Sequence, residues 1–325
     1  MAVPAPTSLV TNPGDETNAR TLGSIRNPSR LAFPLILGGA IGGAIALSGV
    51  LDPAAAFAIS QVGAIVTIAL WERFTPNHVK WNRSHGDVVT DALHAAVSAL
   101  ATIPLARLTV DVVAIALAPA LSSLAGTGLW PAAWPLVAQL ALALVIVELP
   151  QYWLHRWQHE RDWLWRFHAV HHSAPRLYWL NAARFHPLDL ALLYAVGYLP
   201  LVLLGCPEIV VALFFLFDAV FGMLQHSNIH VRLGTLNYVF SMAEPHRWHH
   251  SRVLEEANTN YGSNLIVWDL VFGTFALPSD REPPREIGIA GLRDFPRGYA
   301  AQIAAPFRWQ RVKREAAASP SAAAR

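Results

Sequence analysis

The chain has 325 residues, of which 54% are hydrophobic and only 14% charged, against roughly 25% charged in an average soluble domain. With a mean hydropathy of +0.34 this is a membrane-protein composition. A net charge of +2 without a long basic run excludes a nucleic-acid binder. The single cysteine, Cys206, excludes an intrachain disulfide and a thiolate cluster, so any bound metal must rest on histidine or carboxylate.

Residues 1–30 hold four prolines and no apolar run, and are expected to form a disordered tail rather than a cleaved signal peptide. Leu31–Leu51 then carries no charge, and Ala54–Trp71 follows after the turn at Asp52-Pro53. Both approach the ~20 apolar residues that a spanning helix needs. Arg20, Arg26 and Arg30 precede this hairpin, and Arg73, Lys80 and Arg83 follow it. The turn between has no basic residue, so both ends are expected in the cytoplasm. Between Val88 and Pro150 the apolar runs Ala92–Leu105, Val110–Leu124 and Trp134–Val147 are interrupted by Arg107 and Asp111. They read as one broken or re-entrant segment plus one clean span. Leu188–Leu204 and Ile209–Leu224, joined by Gly205-Cys206-Pro207, read as a second hairpin that brings His186 and His226 to one face. The expected layout is thus an all-α integral membrane bundle over 31–306, followed by a basic, Ala-rich tail over 307–325.

Eleven of the fourteen histidines lie between His155 and His250. His155 and His159 are four apart, as are His226 and His230. His168, His171 and His172 repeat at i, i+3 and i+4, and so do His246, His249 and His250. Residues at those spacings share a helix face, so each cluster is expected to aim its imidazoles one way. Imidazole suits iron, zinc, copper and nickel. Ten such histidines exceed the four ligands of one tetrahedral ion and suit two ions.

The segments Tyr152-Trp153-Leu154-His155-Arg156-Trp157-Gln158-His159 and Leu164-Trp165-Arg166-Phe167-His168-Ala169-Val170-His171-His172-Ser173 resemble the fatty acid hydroxylase/sterol desaturase superfamily. So do Arg184-Phe185-His186-Pro187, His226-Ser227-Asn228-Ile229-His230, Pro245-His246-Arg247-Trp248-His249-His250-Ser251, Asn258-Thr259-Asn260-Tyr261-Gly262 and Trp268-Asp269-Leu270-Val271-Phe272-Gly273-Thr274. The resemblance implies a histidine-rich cap on the cytosolic side of the bundle, holding two iron ions. Its ligands would be His155, His159, His168, His171, His172, His226, His230, His246, His249 and His250. It places His186 beside the ligands, orienting one of them, or simply at a helix start. Zinc could occupy the same nitrogens as a non-native ion.

Asp189 and Asp269 are candidates to accept hydrogen bonds from ligand histidines. Asp218 interrupts an apolar run two turns before His226 and is a further active-site candidate. Asn258, Asn260, Tyr261 and Gly262 read as a turn closing over the last cluster. His78, His85 and His94 are expected to be structural. The implied chemistry is O2-dependent hydroxylation or desaturation of a membrane lipid such as a sterol, an acyl chain or an aminolipid. No nicotinamide, flavin, iron–sulfur or haem motif is present, so a separate electron-donor protein is expected. The Ala-rich composition suggests a bacterial inner membrane. A histidine-rich metal transporter or storage protein is the alternative, against which the clusters lie outside the longest apolar runs. A metalloprotease fails, because no second histidine follows His159-Glu160 at the required spacing.

Overall fold

Asp52 starts the second helix in a way that explains the first hairpin. Its carboxylate accepts from the Ala55 backbone N–H at 3.2 Å, and Pro53 occupies the first helical position. The computed structural model describes residues 31–125, 128–292 and 294–318, and among them every regular element is helical. The expected tail over 1–30 lies outside the described residues.

Helix α1 (Ala32–Ser48) pairs with α2 (Pro53–Phe74). Helix α3 (Val88–Val97) runs through a π-turn at Ser98–Thr102 into α4 (Ile103–Ala125). The expected broken or re-entrant segment is therefore one continuous helix. The reason is local: Pro104 cannot donate to Leu100, and the wide turn just before it absorbs the missing bond and the bulk of the ring. Helix α5 (Leu136–Glu160), α6 (Asp162–His172), α7 (Pro187–Leu203) and α8 (Glu208–His226) follow. Among the described residues four helices are long and apolar enough to cross a membrane, and α1 and α7 are shorter apolar helices beside them. The chain is an integral membrane protein.

The apolar core of the bundle joins Ile36, Ala40, Ile68, Val147, Leu201, Phe214 and Phe221. Side chains such as Leu100, Ile115 and Val137 face outward, as expected where lipid replaces water. Helices α5 and α7 approach closely at Gly197, where a Cβ would stand 2.8 Å from Gln151 Nε2 and 3.1 Å from Val147 Cγ1.

At one end lie the turns 49–52 and 204–207 and the connector 128–135; at the other lie 75–87, 161–186 and the described residues after His226. The long connectors bind one another there. Glu72 Oε1 accepts from Trp179 N and Asn228 N, both at 2.8 Å, and Arg176 grips Asp87 with two nitrogens at 2.7 and 3.0 Å. The cap is completed by short helices α9 (Ala243–His249), α10 (Leu254–Ala257), α11 (Val267–Phe272) and α12 (Tyr299–Ala304).

Within the basic, Ala-rich tail expected over 307–325 lies α13 (Trp309–Ala318), whose Trp309, Val312 and Ala316 are buried. Their spacing makes one apolar stripe. It packs on Ala169 and Val170 of α6, while Lys313 Nζ lies 2.8 Å from Asp162. The cap therefore extends to residue 318 at least, and the rest of the expected tail lies outside the described residues.

Candidate metal centre

Helix α5 ends in a polar stripe of Glu148, Gln151, His155 and Gln158, all buried. Its last two turns carry His155 and His159; α6 carries His168, His171 and His172; α8 ends in His226; α9 and its last turn bring His246, His249 and His250. Nine of the ten expected histidines converge. They form two groups, His155, His159, His168, His172 and His249 in one, His171, His226, His246 and His250 in the other. Within each group the nearest ring nitrogens all lie within 4.8 Å of one another, and only His159 is not fully buried.

The two triplets do not each aim one way, as their spacing suggested. His168 and His172, four apart, face the first group, and His171 faces the second; His246 and His250 face the second, and His249 the first. At about 100° per residue, positions four apart differ by ~40° whereas adjacent positions differ by ~100°. Each triplet thus feeds both groups.

The protons on the outer nitrogens fix what the inner ones offer. His155 Nδ1 donates to the Tyr261 carbonyl at 2.7 Å, and His168 Nδ1 to Asp189 Oδ2 at 3.0 Å. His249 Nδ1 donates to the Thr259 carbonyl at 2.8 Å, and His159 Nδ1 to Asn258 Oδ1 at 3.3 Å. In the second group His226 Nδ1 donates to Asn181 Oδ1 at 3.0 Å and His171 Nδ1 to the Arg184 carbonyl at 3.3 Å. A neutral imidazole has one N–H, so each of these Nε2 atoms is a bare lone pair. Yet His155 Nε2 and His168 Nε2, both bare, face each other at 3.1 Å; His159 Nε2 and His172 Nε2 lie at the same distance. His246 Nε2 lies 2.9 Å from His226 Nε2 and 3.0 Å from His250 Nε2. His249 Nε2 is buried without a protein partner.

The opposed lone pairs of His155 and His168 repel at this range unless a cation lies between them. Two neighbouring donors ~2.1 Å from one ion at a right angle stand about 3.0 Å apart, which matches these separations. The residues therefore fit metal, and two groups fit two ions. Burial together with the neighbouring rings holds His171, His172, His246 and His250 well below the usual imidazole range. Burial takes His249 down to about 3. The rings are thus kept in the neutral form that metals require.

Three expected site residues take other places. His230 joins neither group; its Nδ1 lies 2.7 Å from Asn77 Oδ1. Helix α8 stops at His226 and Ser227 is extended, so the four-residue spacing no longer means a shared face. His186 caps α7, accepting from Leu188 N at 3.2 Å, and its Nε2 faces the Ile303 carbonyl at 3.3 Å; it orients no ligand histidine. Asp218 accepts from Asn264 Nδ2 at 2.9 Å and touches no histidine.

Asp189 does accept from a histidine of the first group. Asp269 acts one step further out, accepting from Tyr261 N at 2.7 Å, Gly262 N at 2.8 Å and Thr274 Oγ1 at 2.7 Å. Asn181 had not been singled out, because an asparagine in a connector reads as a turn residue. A cavity of about 290 Å³, lined by His159, Trp165, His172 and Asn258 among others, reaches the first group from the cap surface.

An apolar helical bundle with converging imidazoles at one end defines a histidine-box membrane protein able to hold metal ions. The histidines stand at the ends of α5 and α8 rather than at mid-span, unlike the site of a transporter. The family model for fatty acid hydroxylase matches residues 140–274. The ornithine lipid hydroxylase OlsE of Rhizobium tropici is 40% identical over 260 residues, 77% of this chain and 75% of that protein. The alkylglycerol monooxygenase of Danio rerio is 35% identical over 152 residues, 47% of this chain and 33% of that protein. Methylsterol monooxygenase 1 of Rattus norvegicus is 29% identical over 133 residues, 40% and 44% of the two chains. No solved structure matches significantly. The chain belongs to the fatty acid hydroxylase family, and it is an oxidoreductase that acts on lipids.

Proposed function

We propose that this chain hydroxylates an amino-acid-containing membrane lipid of the ornithine-lipid class, using two iron ions held by the nine converging histidines. The observation that carries the reading is the convergence of nine histidines into two buried groups, with the bare Nε2 lone pairs of His155 and His168 facing each other at 3.1 Å. The likeness to OlsE across three quarters of both chains supports the substrate class.

The balanced reaction takes R–H, O2, two electrons and two protons to R–OH and water. Iron bound at the two groups supplies the reduction of O2 and the cleavage of the C–H bond, chemistry that side chains alone lack. The protein's own share is to keep the imidazoles neutral, to fix their tautomers through carbonyl and carboxylate acceptors, and to exclude water by burial. The two electrons come from a separate donor protein. The site faces the cytoplasm of a bacterial inner membrane. In support, turns 49–52 and 204–207 carry no lysine or arginine, whereas Arg73, Lys80, Arg83, Arg161 and Arg166 lie at the histidine end.

The test is a comparison of lipid masses between cells with and without the gene, grown under isotopically labelled O2. Gain of one labelled oxygen in an amino-acid-containing lipid is expected. A loss of two hydrogens would replace hydroxylation by desaturation, and an unchanged lipid profile would overturn the reading.

A further inference from the structure

Five of the six partnered outer nitrogens are served by two separate segments of chain, the sixth being that of His168 on Asp189. In the first group His155, His159 and His249 all lean on residues 258–261, through the Tyr261 carbonyl, the Asn258 side chain and the Thr259 carbonyl. In the second, His226 and His171 both lean on residues 181–184, through the Asn181 side chain and the Arg184 carbonyl. No contact runs from either segment to the outer nitrogen of a histidine in the opposite group.

Each segment is gripped from behind by buried carboxylate. Asp269, fully buried on α11, holds the backbone of Tyr261 and Gly262 and is tied to Thr274. The turn at Gly262 leaves it no slack, since a Cβ there would stand 2.2 Å from the Leu265 carbonyl oxygen. On the other side Asp91 of α3 accepts from Arg184 Nε at 2.5 Å and from the Tyr178 hydroxyl at 2.7 Å, and both partners flank Asn181. Asn181, also fully buried, donates to the Arg176 carbonyl at 2.5 Å while its oxygen takes the His226 proton. The first grip comes from the short helix α11, the second from a spanning helix, and they share no residue.

We infer that Asp269 is the positioning residue for the first ion and Asn181, backed by Asp91, for the second, so that the outer contacts form independent frames although α6 and α9 feed both groups, and the ions can be lost one at a time. The inference rests on the two-ion reading above. Outer partners of metal-bound histidines typically govern metal affinity by about 10–100-fold, and here that leverage is split between two segments far apart in the chain.

The experiment uses the full chain in detergent, loaded with ferrous iron without oxygen, dialysed against graded chelator, and assayed for iron per chain. Two ions are expected in the wild type; a single ion would overturn the two-ion reading and this inference with it. With two confirmed, Asp269→Asn should release one ion at about 10–100-fold lower chelator strength. The ion it retains should vanish on adding His246→Ala and be unaffected by His249→Ala. Asn181→Ala should show the mirror pattern. Either variant weakening both ions equally, or neither, in protein that stays monodisperse would overturn the inference while leaving the two-ion reading in place. If Asp269→Asn does not fold, Thr274→Val removes only one tie to Asp269, and should weaken the first ion and leave the second unchanged. Equal weakening of both ions there would count against independent frames in the same way.

Discussion

His171 and His172 are neighbours in the chain, yet they belong to different histidine groups, with ring planes 81° apart. Helix α6 is therefore the beam that fixes one group against the other, and its last turn sets the spacing between them.

Substituting either residue should stop the reaction while leaving different metals behind. His172→Ala is expected to lower iron in the first group and His171→Ala in the second. Lipid product should fall below about 1% in both, a larger loss than the 10–100-fold usual for outer partners. Product mass and iron per chain check this, and product at near wild-type level from either variant would remove both groups from the chemistry.

His230→Ala should behave otherwise. Its half-buried ring meets Asn77 and neither group, so iron content and product formation should stay within about twofold of wild type, as for a substitution away from the site. A loss as deep as that of His226→Ala would show that His230 swings inward when metal binds.

At Gly262 an added methyl has no room. Gly262→Ala places Cβ 2.2 Å from the Leu265 carbonyl oxygen and 3.0 Å from Asp269 Oδ2. Overpacking of this kind costs about 1–3 kcal/mol. Thermal unfolding in detergent should fall by several degrees and the first ion should bind more weakly. An unchanged melting temperature would refute the close approach.

Acid should destabilise the metal-free protein over a defined range. Burial keeps His249 near 3 in the folded chain, against about 6.5 when unfolded. Below 6.5 the unfolded chain binds more protons, so stability is full above that pH and falls as pH drops towards 3. The slope is about 1.4 kcal/mol per pH unit for each histidine that stays neutral. His171, His172, His246 and His250 shift in the same direction, so the fall should be steeper than one proton allows. Melting curves of chelator-treated protein between pH 8 and about pH 5 check this; a flat profile would contradict it.

The apolar runs and the histidine spacing were legible because both follow from single-helix geometry. Charge-free stretches such as Leu31–Leu51 announce a membrane, and pairs four apart announce a shared face. What escaped depends on where helices stop and which strangers meet. Nothing in His226-Ser227-Asn228-Ile229-His230 shows that the helix ends at its first residue, so His230 looked equivalent to His159. The π-turn before Pro104 keeps whole a helix whose apolar pattern is interrupted at Arg107 and Asp111. Asn181 and His226 are 45 positions apart, and no local pattern couples them. The buried pairs Arg176–Asp87 and Arg184–Asp91 likewise join residues about ninety positions apart. In α13 the stripe of Trp309, Val312 and Ala316 was readable, but its arginines and alanines drew it towards a tail.

The composition of the turns at 49–52 and 204–207 has a practical result. In sealed vesicles that expose only that end, trypsin would find no lysine or arginine in the connectors 49–52, 126–135 and 204–207. Vesicles of the reverse orientation would offer every loop that frames the chemistry, so digestion patterns from the two preparations would report the protein's handedness in the bilayer without touching its activity.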